Sequence, residues 1–309
     1  MGQRICSLSA RVPLASGRRW PSRLPDPGSN RAIWLRLWSL CLILLLSACQ
    51  PAPYQLSSRY PSASQNERIA FLILHYTDED DAHSLRLLTE PAHQVSAHYL
   101  IPRDTDQTPL PVYQLVPDSQ RAWHAGRSRW HQYAGLNASS LGIEIVNLGY
   151  PPEDALLPAH QRRWQPYTQA QIAAIGALTQ KLVQRYRIPP TQVLAHSDVA
   201  PERKQDPGPH FPWRELALHY GVGAWPDEAR VTALRQQPAP AWNALTWQQQ
   251  LARYGYGVAP SGTWDEQSHA ALRAFQLHFR PALVSGEPDE QSQAILTALL
   301  ERYFPCYFP

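Results

Sequence analysis

Lysine is almost missing from this chain: Lys181 and Lys204 are the only two among 28 basic residues. Cysteine is nearly as scarce, with Cys6, Cys41, Cys49 and Cys306 in 309 residues, too few for a disulfide scaffold. No apolar run approaches the roughly 20 residues a membrane helix needs; the longest, starting at Leu37, covers about a dozen. Residues 1–48 hold seven Arg and one acidic residue, Asp26, which leaves 21 basic against 24 acidic groups in the rest. A slightly acidic body lacks the electrostatic footprint that phosphate-backbone binding demands, so nucleic acid is excluded as a partner. What the chain does have is proline, 30 residues or near twice the average share, which points to linkers. Hydrophobics at 44% and aromatics at 10% exclude a wholly disordered chain, and the length suits two domains.

Arginine-rich sequence, a short apolar run and then Ser47-Ala48-Cys49 give the layout of a signal peptide over residues 1–48. The alternative is a buried hydrophobic helix that ends at a chance Cys. Leu46-Ser47-Ala48-Cys49 resembles the bacterial lipobox, and the resemblance implies cleavage before Cys49 and lipidation of its thiol. Gln50 stands where an Asp would retain an enterobacterial lipoprotein in the inner membrane. The implied address is the outer membrane of a Gram-negative bacterium, with the body facing the periplasm. Loss of the leader and acylation of Cys49 would leave Cys306 alone, so no intrachain disulfide is expected. Any metal site must then be built from His and carboxylates.

Residues 49–66, rich in Pro, Ser and Gln, read as the lipidated Cys and a tether. Residues 69–74 form an apolar run suited to a buried strand ending at His75, and 95–101 and 141–146 look like further strands. Thr168 can cap a helix whose Ile172, Ile175, Leu178, Leu182, Val183 and Tyr186 share a face, and Pro189-Pro190 stops it. Strands interleaved with helices predict an α/β domain, a mixed central sheet flanked by helices, over 67–222. A linker is expected at 223–240, followed by an all-α unit of three helices at 241–303. There, residues 261–272 match 285–296 at eight of twelve positions, an internal repeat of Gly turn, acidic first helical turn and apolar spacing.

Of twelve His, three places rise above the background. His75 ends a buried strand. Glu144 lies inside Leu141-Gly-Ile-Glu-Ile-Val-Asn147, where a carboxylate is costly to bury unless paired or working. The third is His196-Ser-Asp-Val-Ala-Pro-Glu-Arg-Lys-Gln-Asp206, whose prolines forbid a regular helix and make it an ordered loop. Asp206 precedes Pro207 and is biased to extended backbone, which puts Lys204 and Asp206 on one side. Two His and one Asp are a common Zn²⁺ ligand set with a fourth position open for water. A nearby Glu can move protons, and an ammonium suits a single developing oxyanion better than a planar guanidinium does. His75, His196, Asp206, Glu144 and Lys204 supply every part.

Leu74-His-Tyr-Thr77, Ser140-Leu-Gly-Ile-Glu-Ile-Val-Asn147 and His196 through Gly208 resemble the type-2 zinc N-acetylmuramoyl-L-alanine amidases, whose fold peptidoglycan recognition proteins share. The resemblance spans about 67–215. It implies one Zn²⁺ on His75, His196 and Asp206, Glu144 as the catalytic carboxylate and Lys204 as the oxyanion-stabilising cation. The substrates implied are peptidoglycan and muropeptides, cut at the lactyl–L-Ala amide in wall turnover or remodelling. Phage-type members carry a Tyr before the His of the second strand, where Ala97 precedes His98; Glu144 takes that role here. Trp123-His-Ala-Gly126 is similar to a segment beside the family groove, which makes His98 and His124 candidate substrate contacts. The 241–303 region resembles the type-1 peptidoglycan-binding module, against the alternative of a helical stability domain without a ligand. Its removal is expected to weaken wall binding and to spare cleavage of small fragments. The protein is expected to be a monomer held at the outer membrane by its lipid.

Three other readings compete. A wall receptor of the same fold without catalysis would lack part of the ligand set. A non-haem iron oxygenase could use His196-Ser-Asp198 as part of a facial triad, but needs a mainly β jelly roll. A muramidase would use paired carboxylates and no metal.

Overall fold

Strand β1 (Phe71–Tyr76) is apolar on both faces up to His75, and it lies inside the sheet with a partner strand on each side, buried along most of its length. The computed structural model describes residues 54–103, 105–236 and 240–305. The expected signal peptide, Cys49 and Cys306 lie outside these residues. Residues 54–64 belong to a unit of their own and hold no helix or strand. Everything below concerns the unit from Gln65 onward.

Helix α1 (Asp81–Thr89) follows β1 and is capped by Asp80, whose carboxylate accepts from the His83 N–H. Strand β2 (Tyr99–Ile101) and strand β3 (Tyr113–Gln114) come next, then a small hairpin of β4 (Arg129–Trp130) and β5 (Tyr133–Ala134). Strand β6 (Ser140–Ile145) returns to the sheet beside β1. Helix α2 (Gln169–Tyr186) opens on a reciprocal capping box between Thr168 and Gln171 and buries Ile172, Ile175 and Leu182. It ends at Arg187, which adopts left-handed backbone before Pro189. Strand β7 (Val193–Ala195) completes a five-stranded sheet ordered β3-β2-β6-β1-β7. All its pairings are parallel except β2 with β3. The strand predicted over 95–101 is confined to 99–101. His98 still donates its N–H to the Gly142 carbonyl, but further back the chain departs, and the Ser96 N–H bonds to the Trp123 carbonyl instead.

One turn of helix, α3 (His196–Val199), follows β7 directly, so the segment expected as a loop opens with a helical turn before Pro201 ends it. Helix α4 (Trp213–His219) closes this part of the chain. The stretch 223–240, predicted as a linker, holds helix α5 (Glu228–Gln236). The Pro- and Gln-rich flanks hid it in the sequence. Arg230 forms a two-pronged ion pair with Glu301 at 2.7 and 2.8 Å, and the Tyr303 hydroxyl accepts from the Trp225 N–H. These contacts fasten 225–230 to the last helix.

Helices α6 (Ala244–Tyr254), α7 (Glu266–Phe279) and α8 (Glu290–Tyr303) are capped by Asn243, Asp265 and Asp289. The sequence repeat has a structural counterpart. Gln248 is buried and spans the first Gly turn, accepting from Gly262 N–H and donating to the Ser268 hydroxyl. Gln276 does the same for the second turn with Gly286 and Ser292. Among the described residues no helix is long and apolar enough to cross a membrane.

These helices also close over the sheet domain. Trp130 is fully buried against Tyr254 and Tyr256, and the His131 N–H bonds to the Gly255 carbonyl at 2.8 Å. His278 stacks on Trp213 with ring centres 3.8 Å apart. Burying rings and aliphatic chains of this size contributes about 1.5–3 kcal/mol each, so the contact is a packed core rather than a grazing one.

Candidate active site

The parallel register brings the site together. Pairing of β1 with β6 puts His75 opposite Glu144. Pairing of β1 with β7 puts Leu74 opposite Ala195, so His196 follows one residue beyond the strand end. Three side chains from three adjacent strands therefore emerge at one carboxyl edge of the sheet, where open α/β sheets place ligands. Asp206 reaches the same point because the Ser197 N–H donates to the Asp206 carbonyl at 3.0 Å, folding the loop back on α3. The Tyr167 hydroxyl holds the next residue by donating to the Pro207 carbonyl at 2.8 Å.

The three expected ligand residues are buried and convergent. His75 Nδ1 lies 2.9 Å from His196 Nδ1 and 3.2 Å from Asp206 Oδ2, and His196 Nδ1 lies 2.9 Å from the same oxygen. Glu144 Oε1 stands 4.0 Å from His75 Nδ1, and its Oε2 is buried without a hydrogen-bond partner among the described residues. Lys204 lines the same cleft of about 160 Å³, with His196, Asp206, Glu144 and the half-exposed Trp123 on its walls.

Electrostatics follows from burial. Desolvation, helped by the neighbouring His196, lowers the His75 pKa to about 4, keeping its imidazole neutral. Burial pushes Asp206 up, but its two imidazole partners outweigh it and hold the carboxyl well below its usual range. Burial and then the Asp206 charge raise Glu144 well above the ordinary carboxylate value, while Lys204 pulls the other way. A neutral imidazole at His75, a second imidazole at His196, one ionised carboxylate and a further carboxylate oxygen with no donor form a pocket that a cation completes. The donor set fits a metal ion.

Two expectations about this neighbourhood need correcting. His98 is wholly buried; its Nδ1 accepts from the Gly142 N–H at 3.0 Å and its Nε2 donates to the Gln120 carbonyl at 3.2 Å. Both nitrogens are spent tying β6 to the 115–120 segment, so His98 is no substrate contact. His124 does reach the cleft, but its Nδ1 faces His75 Nε2 at 2.9 Å and its Nε2 faces the Ser140 hydroxyl at 3.1 Å. It supports a ligand residue rather than offering a free nitrogen to substrate. Asp198, weighed as a metal ligand beside His196, turns away from the site and accepts from Ala195 N–H, Tyr256 and His278. That removes the facial triad. Trp123 was passed over as a site residue; an exposed large aromatic in a loop beside candidate His residues was the available signal.

The N-acetylmuramoyl-L-alanine amidase family profile matches residues 65–209, and a peptidoglycan binding domain profile matches 243–296. The chain is 42% identical over 278 residues to the Escherichia coli K12 N-acetylmuramoyl-L-alanine amidase AmiD, covering 86% of this chain and 97% of that one. It belongs to the N-acetylmuramoyl-L-alanine amidases. A solved complex of E. coli AmiD with anhydro-N-acetylmuramic acid-L-Ala-D-γ-Glu-L-Lys superposes with a TM-score of 0.74, at 41% identity over 82% of this chain and 97% of the other. AmpDh3 of Pseudomonas aeruginosa, in complex with an anhydromuramic pentapeptide, gives 0.71 at 36% identity, covering 82% and 99%. The amidase thus shares the mixed sheet and the helical region with relatives nearly along their whole lengths.

Proposed function

We propose that this amidase is a zinc enzyme cutting the amide between the lactyl group of N-acetylmuramic acid and L-Ala, with His75, His196 and Asp206 as the ligands. The observation that carries the reading is the convergence of those three donors beside Glu144 at one sheet edge. When bound, zinc acidifies water and polarises a carbonyl. Glu144 takes the proton of the attacking water and delivers it to the departing nitrogen of L-Ala. Its buried setting lets it hold that proton between the two transfers. Lys204, which lines the same cleft, supplies an ammonium to the oxygen that gains charge as the carbonyl becomes tetrahedral. The C–N bond breaks and a C–O bond forms, leaving the lactyl carboxylate and a free L-Ala amine. Trp123 offers a flat apolar wall on which a sugar or peptide can rest.

Anhydromuropeptides are the proposed substrates, because the relatives cited above are solved with such molecules bound. Residues 67–222 form the catalytic domain and 241–303 the wall-binding one. A groove of about 470 Å³ beside Trp242, Glu290 and Gln293 gives that second part a place for wall polymer. Lipidation at Cys49 would hold a monomeric enzyme to the periplasmic face of the outer membrane. The deciding experiment is mass spectrometry of an anhydromuropeptide incubated with the purified enzyme, with and without a chelator. Release of the free peptide, abolished by chelation and restored by zinc, is the expected result. Cleavage that survives complete metal removal would refute it, and binding without cleavage would favour a receptor.

A further inference from the structure

Behind each of the two candidate histidine ligands stands a second residue, and both belong to one short segment. His75 Nε2 is 2.9 Å from His124 Nδ1, and His196 Nε2 is 3.3 Å from the Ala125 carbonyl oxygen. Asn137 holds that segment in place: its Oδ1 accepts from the His124 N–H at 3.2 Å and the Ala125 N–H at 2.7 Å. Gly142 makes room for the ring, since a Cβ there would collide with the His124 imidazole.

The proton positions follow from the two ends of this network. A carbonyl oxygen only accepts. The Ser140 hydroxyl lies 2.7 Å from the Leu136 carbonyl and spends its proton there, so Ser140 Oγ must accept from His124 Nε2. A neutral His124 protonated at Nε2 has a bare Nδ1, which accepts from His75 Nε2–H. His75 is then left with a bare Nδ1 pointing at Asp206. His196 reaches the same state in one step, because its Nε2 donates to the Ala125 carbonyl. Arg203 Nη2 also lies 3.3 Å from His196 Nε2, but it spends its two protons on the Ala125 and Arg127 carbonyls, at 2.5 and 2.8 Å, and leaves that nitrogen to donate. Burial keeps His124 neutral, in agreement with this order.

We propose that His124, with Ser140 behind it, is a positioning residue that fixes the tautomer and orientation of His75, while the Ala125 carbonyl does the same for His196. The direction of donation runs unbroken from His75 Nε2–H through His124 Nε2–H and the Ser140 hydroxyl to the Leu136 carbonyl. It presents both Nδ1 lone pairs to the cleft without any side chain having to rotate. This rests on the metal reading above, and the test separates the two.

The experiment uses the full chain with ¹⁵N-labelled histidine, as wild type, His124→Phe, Ser140→Ala and Ser140→Thr. Zinc affinity is measured by chelator competition, and imidazole tautomers by long-range ¹H–¹⁵N correlation. Wild type is expected to show His124 as the Nε2–H tautomer. His124→Phe should bind zinc about 10–100-fold more weakly, the range for losing a partner behind a ligand. Ser140→Ala should weaken binding in the same direction by less, and Ser140→Thr, which keeps the hydroxyl, should restore it. The serine pair carries the test even if His124→Phe does not fold. Zinc affinity within twofold of wild type in His124→Phe and Ser140→Ala, or an Nδ1–H tautomer at His124, overturns the proposal alone. A wild type that takes up no zinc overturns the metal reading and this one with it.

Discussion

Asp198 and His278, eighty residues apart in the chain, meet in a 2.7 Å hydrogen bond with both side chains buried. Asp198 sits two residues after the candidate ligand His196, and His278 belongs to the last turn of α7. The Asp198 carboxylate also accepts from Tyr256, 2.7 Å away, and from the Ala195 N–H at the end of β7. The helical part therefore anchors the loop that carries the site. Removal of 241–309, expected from sequence to spare cleavage of small fragments, would expose Trp130 and Trp213 and strip Asp198 of two donors.

The truncated protein is accordingly expected to unfold at much lower temperature and to lose activity on soluble fragments as well as on intact wall. His278→Ala tests the contact more gently. Loss of a hydrogen bond to a buried carboxylate should destabilise the chain by about 2–3 kcal/mol, read from denaturant unfolding. Wild-type stability in this variant would mean that the contact between the two parts is incidental.

Glu144→Gln keeps the shape of the side chain and removes its ability to take a proton. We expect kcat to fall by roughly 10²–10⁴, the usual contribution of a positioned acid–base group, with zinc still bound at full stoichiometry. Metal analysis of the purified variant checks this. Loss of zinc together with activity would make Glu144 a ligand rather than the proton carrier.

Lys204→Ala should lower kcat by roughly 10²–10³, the scale for one oxyanion donor, with KM little altered. Lys204→Arg is expected to recover only part of the loss, because a planar fork cannot replace a compact charge in a cleft of about 160 Å³. A rise in KM with kcat intact would assign Lys204 to substrate binding instead.

The sheet, the long helix and the helical repeat were legible because each is encoded within a few residues. The apolar run before His75, the Thr168–Gln171 box and the paired Ser-Gly turns at 261 and 285 are local signals. His75, His196, Asp206, Glu144 and Lys204 could be picked out because chemistry made them costly or unusual where they stand. The roles of His98, His124 and Asp198 were not legible. Each is decided by a partner far along the chain: Gln120 and Gly142 for the first, His75 and Ser140 for the second, Tyr256 and His278 for the third. Helix α5 was missed for a related reason. Its hold on the molecule comes from Arg230 meeting Glu301, seventy-one residues away, not from a strong apolar stripe.

Acid sensitivity of the metal-free protein gives a last prediction, in which groups of opposite sign compete. Burial above all lowers His75 to about 4, and it lowers His98, His124 and His131 too. Between pH 6.5 and about 4 the unfolded chain takes up protons that the native imidazoles refuse, so this stabilisation is full above pH 6.5 and is lost on acidification. Each group contributes a slope of at most about 1.4 kcal/mol per pH unit. Glu144 works the other way: its raised pKa gives stability that is present below pH 4.5 and lost as pH rises through the native value. Four imidazoles against two carboxyls, Glu144 and the partly buried Asp78 whose pKa burial also raises, should leave stability rising from pH 4.5 to 6.5. Calorimetry in the presence of a chelator should show the melting temperature climbing over that interval. In Glu144→Gln, where the more deeply buried of the two opposing groups is gone, the climb should be steeper. An unchanged slope in that variant would mean that Glu144 ionises normally in the folded protein.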